Sequence, residues 1–384
     1  MSKIVQTPIK NRFNLSEWSG AFGDLGTLIP FLAAYISVLH MNPNGILIAF
    51  GISLIAIGWI YKTPFPVQPM KAIGATSVSQ VAIAGGLTGA VVISASLMTG
   101  LIWLFLGLTG LASKVSKLVP KSALLGVILG LGFILMIEGV KMMSSSLWIA
   151  MPLLLLTLFL LSQPKVPAML VLLFIGGVIS LIQQPELAGQ LKALEINPIL
   201  PSFAWSSLTT TDLISGLVLL ALPQLPLTFG NAYLSITEEN NKLFPDRPVT
   251  QKSVALSTGV MNVLSGTLGG IPMCHGAGGM AGHVMFGART GGSSIILGSV
   301  LLLLGVFFSN SISTILNLFP LSVLGIILFF AGLQLALSSK DESGEKVDRF
   351  IVLATAGIAV WNIGFAIIFG ITIHYANKRG WLKI

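Results

Sequence analysis

Charge is scarce in this sequence. Aspartate, glutamate, lysine and arginine make up 9% of 384 residues, against about 25% in a soluble globular chain. Hydrophobic residues reach 54% and the mean hydropathy is +0.91. A chain with so little polar surface cannot stay dissolved, so the composition implies an integral membrane protein with many spans. Cysteine is nearly absent as well: Cys274 stands alone, which excludes an internal disulfide. Metal-ligand spacing, a nucleophile elbow and a phosphate-binding Gly-Lys-Ser/Thr run are all missing. The expectation is therefore a protein that is not an enzyme and that holds no metal and no cofactor. Loose Gly-x-Gly patterns at 276–282 follow no strand, and glycines there read more simply as close helix packing.

Apolar stretches run near 22–40, 44–61, 70–86, 88–110, 120–138, 147–162 and 166–183. A second set follows near 212–230, 253–267, 273–287, 291–309, 317–337, 350–360 and 362–376. The first lacks a small-residue cleavage site and reads as a retained span. Several, the third and tenth above all, fall short of the roughly 20 residues of a full crossing. Irregular backbone survives at membrane depth only under cover of protein or a watery cavity, so these short pieces are expected inside the bundle as half-helices. With a cytoplasmic N-terminus and alternating sides, 18 of the 21 lysines and arginines fall inside. Lys141 and Lys192 lie outside, and Lys71 stays in the membrane. The net charge of +8 is thus a topology signal rather than a nucleic-acid patch.

The halves repeat. Pro120-Lys121-Ser122 and Pro320-Leu321-Ser322 each open an apolar run that reaches a glycine at the same offset, Gly132 and Gly332. Asp24 and Gln224 are also 200 residues apart. Seven spans per copy is an odd number, so the second copy enters from the opposite side as an inverted repeat. The fold class expected is an all-α polytopic membrane protein of about fourteen segments in a 7+7 inverted repeat. Its parts are a cytoplasmic tail (1–18), a first repeat (19–183), an extracytoplasmic connector (184–211), a second repeat (212–376) and a cytoplasmic tail (377–384). The polar stretches 237–252 and 338–349 read as solvated cytoplasmic loops.

Two proline-interrupted breaks occupy corresponding positions: Pro66-Val67-Gln68-Pro69-Met70-Lys71 and Pro272-Met273-Cys274-His275-Gly276. Paired breaks point to a transporter site near the bilayer midplane. Two half-helix N-termini facing each other supply about one positive charge, and Lys71 adds another, which suits a dianion. Gln68, Gln224, Thr228, Asn231 and His275 are candidates to orient its oxygens. Met70 and Cys274 fall in the same breaks, and Gly276 lets backbone approach closely. Other readings stand beside these. Lys71 could snorkel from a helix starting near the inner surface. Asp24, six residues after Trp18, could be an interfacial carboxylate or a proton-sensitive partner of Lys71. Glu138 is better read as a surface i,i+3 partner of Lys141, and His40, His283 and His374 as interfacial.

Four ordered motifs carry a resemblance: Phe22-Gly23-Asp24-Leu25-Gly26-Thr27, Pro66 to Ile73, Pro223 to Asn231, and Pro272 to Gly279. Together they resemble the molybdate transporter family, related to the sulfate permease superfamily, over residues 15–376. The resemblance implies spans 1–4 and 8–11 as a core and spans 5–7 and 12–14 as a gate. Oxyanion binding would fall between the starts of spans three and ten. Sulfate permeases carry a soluble domain after the last span, and its lack here implies the narrower assignment. The expected activity is import of a tetrahedral oxyanion by alternating access. Molybdate is the first choice, with tungstate or sulfate as alternatives and protons as coupling ion through Asp24. An uncoupled channel or carrier on the same scaffold is the rival. Relatives of this fold suggest a homodimer in the cell membrane.

Overall fold

The computed structural model describes residues 10–37, 39–71, 73, 74, 87–163, 166–339 and 345–382. Almost every element in it is a helix whose ends the local sequence dictates. Helix α1 (Leu15–Ala21) starts where the Asn14 side chain accepts from Glu17 N. Helix α2 (Leu25–Ser37) follows after a 44° bend at Phe22-Gly23-Asp24. Helix α3 (Pro43–Tyr61) has proline in its first turn, where no donor is lost, and ends at Lys62 in the left-handed region, φ 56°. Helix α4 (Gly89–Thr109) is capped by Thr88 and stopped by Gly110 at φ 67°. Three further helices are α5 (Lys121–Met143), α6 (Leu147–Leu161) and α7 (Ala168–Gln183).

The second half opens with α8, continuous over Thr210–Leu243. It contains π-helical stretches at Gly216–Ala221 and Gly230–Ser235, on either side of Pro223 and Pro226. Each proline removes one backbone donor, and the wider turns absorb the defect. A Thr250–Ser253 capping box starts α9 (Gln251–Thr267). Then come the nine-residue α10 (Ala277–Met285) and α11 (Gly292–Phe307). Helices α12 (Leu321–Ser338), α13 (Lys346–Trp361) and α14 (Ile363–Lys378) complete the chain. Among the described residues, four helices are long and apolar enough to cross a membrane, or up to seven when each bent pair counts as one span. This is a multi-pass membrane protein, and large side chains such as Trp148, Phe174 and Trp361 stand on its outside.

Packing between the halves is reciprocal. Helix α3 packs on α11, α4 on α9, and α5 on α12. At the last of these, Gly132 lies against Gly332 and Gly139 against Gly325, so close that a Cβ on any of the four would meet backbone. Small residues at such a crossing let the two backbones approach. The matched glycines of the sequence repeat therefore face each other across the centre of the molecule.

Several local expectations are corrected. Helix α8 runs to Leu243, so 237–252 is not one solvated loop. Thr237, Glu239 and Asn240 are buried, and Asn240 bonds Thr63 and Arg247 O. His283 is wholly buried, with Nδ1 against Gly20 O at 2.7 Å, because α10 lies inside the bundle against α1 rather than at an interface. Asp24 is also buried (4% exposed), which removes the interfacial reading. Glu138 does pair with Lys141, at 2.7 Å on the exposed surface. Most of the third expected half-helix, 75–86, and the centre of the 338–349 stretch lie outside the described residues.

Candidate substrate site

The two proline breaks meet. Gln68–Pro69 (β1) pairs antiparallel with Met273–Cys274 (β2), Gln68 opposite Cys274 and Pro69 opposite Met273. Pro69 within β1 and Pro272 just before β2 account for the non-helical backbone of the breaks, because each proline pushes its preceding residue out of the helical region. They also explain why only four residues pair. The remaining backbone groups of both breaks need partners, since an unpaired one at membrane depth costs several kcal/mol.

Side chains from other helices provide them. Asn262 on α9 works as a mock strand: its Oδ1 accepts from Met273 N at 2.9 Å and its Nδ2 donates to Met273 O at 2.6 Å. Ser265 Oγ donates to Ile271 O, and Ser294 Oγ to Phe65 O. His275 Nδ1 lies 2.8 Å from Pro66 O, which can only accept, so Nδ1 carries the proton. His275 Nε2 then accepts from Ser257 Oγ at 2.8 Å, and Ser257 accepts from Tyr61 at 2.9 Å. Helix α8 serves both breaks: Gln224 Oε1 accepts from Ile73 N and Asn231 Oδ1 from Ala277 N. Gln224 Nε2 is spent on Thr228 Oγ1 at 3.0 Å.

Next to this junction is a cavity of about 910 Å³, walled by α4, α5, α8 and the α13–α14 turn. Its lining is apolar except for a few groups. The half-buried Lys71 and Asn231 stand at the junction, Asn362 lies farther out, and Trp103 is buried in one wall. Trp103 Nε1 has no partner among the described residues, which leaves an N–H donor beside the cavity. Asp24 sits at the bend between α1 and α2, where Oδ1 accepts from Gln68 Nε2 at 2.5 Å. The opposite atom of that amide, Oε1, is buried with no partner among the described residues, packed against Gly276.

The structure thus separates residues that the sequence grouped together. Lys71 lines the cavity, as does Asn231. Gln68, Met70, Gln224, Thr228, Cys274, His275 and Gly276 are buried behind that lining. His275 has both ring nitrogens committed to protein partners. Sequence reasoning missed Asn262, Ser257, Ser265, Ser294 and Trp103. Four of the five are polar side chains inside otherwise apolar stretches, a pattern shared by many residues of this chain that have no such role. No cluster of three or more metal-ligating side chains occurs among the described residues.

Comparison with known proteins agrees with the fold and the repeat. A family model described as "Molybdate transporter of MFS superfamily" matches residues 16–135 and 216–335, two stretches set 200 residues apart. Molybdate transporter 2 of Arabidopsis thaliana is 32% identical over 92% of this chain and 85% of its own length. Molybdate transporter 1 of the same plant is 30% identical over 94% and 88%. Among solved structures, the transmembrane domain of a cyanobacterial bicarbonate transporter, BicA, superposes with a TM-score of 0.59. It is 18% identical and covers 94% of this chain and 100% of that one. Murine Slc26a9, an anion transporter in the inward-facing state, gives 0.61 at 12% identity, over 100% of this chain and 70% of that one. These two likenesses speak for the fold alone. The fold is that of a membrane anion transporter, and by two matching stretches and full-length relatives the chain belongs to the molybdate transporter family.

Proposed function

We propose that this protein is a secondary active transporter that imports molybdate, with the dianion held where the cavity meets the two breaks. One observation supports this most: Lys71 lines an apolar cavity together with Asn231, where the helical turns that follow the two breaks begin. An ammonium in such surroundings needs an anion to offset its desolvation, and a dianion there gains charge-assisted hydrogen bonds. The relatives' names favour molybdate over sulfate or tungstate within this class.

The finer architecture proposed is fourteen segments, seven in each of 19–183 and 212–376, with both termini cytoplasmic. Spans 1–4 and 8–11 move as a core against a gate of spans 5–7 and 12–14. Val115, Leu118 and Val119 line the cavity beside the basic stretch 114–121, so this conformation would open towards the cytoplasm.

Uptake of a dianion against a negative-inside potential costs about 2.3 kcal/mol per charge per 100 mV, which calls for a driving ion. The Asp24–Gln68 pair is suited to couple protons. With Asp24 ionised, Gln68 Nε2 is tied to the carboxylate. A proton on Asp24 makes it a donor, the Gln68 amide turns over so that Oε1 accepts, and Nε2 becomes free to face the second break and the oxyanion. Substrate and proton would then favour each other's binding, as linkage requires.

Calorimetric titration of the purified protein with molybdate, tungstate and sulfate at two pH values tests this. Molybdate affinity should fall steeply in Lys71→Ala, and in Asp24→Asn it should lose its pH dependence. Unchanged affinity in Lys71→Ala would sink the charge-trap reading. Sulfate preferred over molybdate would move the substrate, and pH-independent flux in the parent protein would favour an uncoupled carrier.

A further inference from the structure

A second cavity, of about 420 Å³, lies between α1, the turn that joins α10 to α11, and the facing ends of α6 and α7. Arg12 and Arg289 reach it from one side; Gln163, Pro167 and Ala168 close it from the other. The arginines are anchored. Arg12 N donates to Thr290 Oγ1 at 3.1 Å and the neighbouring Asn11 Nδ2 to Gly58 O at 3.1 Å, so the arm that carries Arg12 is fixed at both residues. Arg289 spends Nη1 on Val284 O and Ala288 O, and its own N–H on the buried Glu17. Glu17 lies 3.7 Å from the Arg12 guanidinium. The buried Glu17 thus touches the Arg12 guanidinium and the Arg289 main chain, and one carboxylate against two guanidinium groups leaves a positive charge over at the cavity.

Unspent donors point the same way. Ser19 lines the cavity and is 1% exposed. Its Oγ accepts from Met169 N at 3.2 Å, and no acceptor among the described residues takes its hydroxyl proton. Among the described residues, Asn14 uses only Oδ1, on Glu17 N. Across the gap, the sixteen-residue α7 starts at Ala168 behind Pro167, which supplies no cap of its own, so the Ser19 hydroxyl stands at its first turn. Two guanidinium groups, a buried hydroxyl and the start of a helix around one polar cavity together make an anion site. None of them has a role in the transport site described above.

We infer that this cavity binds a phosphate-type oxyanion, a free phosphate ester or the phosphate of a lipid headgroup. The anion is held between Arg12 and Arg289 on one side and the start of α7 on the other. On the core and gate division proposed above, those two sides belong to the parts that move apart, so an anion there would clamp them together.

The test uses inorganic phosphate and phosphatidylglycerol as probes. Calorimetric titration of full-length Lys71→Ala protein with phosphate reads this cavity while the transport site is disabled. Native mass spectrometry of the parent protein, extracted from phosphatidylglycerol-containing bilayers, reads retained lipid. Phosphate binding identifies a free anion as the source, and lipid retention without phosphate binding identifies the headgroup. Either signal should weaken about tenfold or more in Arg12→Gln/Arg289→Gln. Because Arg289 also caps the end of α10, Gln163→Glu is the second variant. It puts a negative charge at the cavity from an exposed position and should have the same effect. If neither probe binds, or if binding is equal in folded Gln163→Glu protein, the inference is overturned. Molybdate binding that survives Lys71→Ala would count against the transport site and leave the arginine-dependent signals readable.

Discussion

The first and second breaks share one backbone design and differ in their chemistry. Both are extended at a proline, pair through the same two-residue strands, and precede a helix start capped from α8, by Gln224 in one case and Asn231 in the other. Charge is found only in the first, where Lys71 lines the cavity and Gln68 holds Asp24. In the second, His275 and the backbone of Met273 are bound to protein partners, and glycine fills the space where side chains would crowd Gln68 and Asp24. Duplication supplied a symmetric frame, and the two copies then divided the work: one bears the ionisable groups, the other braces them. Such a division suits a site for a single anion, since a second lysine in the matching place would have to be desolvated for no further ligand.

Substitutions in matching places sharpen or break that contrast. The largest effect is expected at the charged break: Lys71→Met should weaken molybdate binding by on the order of a hundredfold. The thermal midpoint should hold or rise, because a costly buried charge is gone. At the bracing break, His275→Ala orphans Pro66 O and Ser257, and Asn262→Ala orphans both polar groups of Met273. Each should cost about 2–3 kcal/mol of stability, seen as a lower melting temperature in detergent, with a smaller change in affinity for the protein that remains folded. A reversed pattern, with His275→Ala folded as before but unable to bind, would return His275 to the ligand. A subtler probe is Gly279→Ala, whose added methyl would press on Asp24 Oδ2 and Gln68 Nε2. It should lower affinity about tenfold and blunt its pH dependence by hindering rotation of the amide. Smallest of all, Glu138→Gln breaks an exposed pair and should change stability by under about 0.5 kcal/mol, with uptake unaffected.

Much of this was legible in the sequence, for physical reasons. Proline and glycine mark non-helical backbone wherever they fall, so both breaks and their correspondence could be read directly. A lysine in apolar surroundings announces a cost, which made Lys71 conspicuous. The 200-residue repeat marked Gly132 and Gly332 as equivalent positions, while their contact with each other emerged only in the fold. Partnership was not legible. Asn262, Ser257 and Ser294 matter because the fold brings them to particular carbonyls and amides, and nothing local to them says so. For the same reason His275 looked available: proline before and glycine after it indicate irregular backbone, while the Ser257 and Pro66 partners lie 18 and 209 positions away. The reach of α8 was misjudged because Glu238, Glu239 and Lys242 read as a loop. Burial of Asn240 against Thr63 and Arg247 O extends the helix past them.

The bracing of the first break also sets an order of events during synthesis. Thr63, Phe65, Pro66 and Ile73 find their partners 177, 229, 209 and 151 residues later, at Asn240, Ser294, His275 and Gln224. At about 5–20 residues per second, the ribosome needs roughly 10–45 s to deliver the last of them. Throughout that interval the first half has entered the bilayer with a proline-rich, polar segment that its own residues cannot satisfy. The nascent chain must keep that segment wet, or sheltered by the insertion machinery, until the second half arrives. Truncation before residue 294 should therefore leave a first half that inserts but stays open to quality-control proteases.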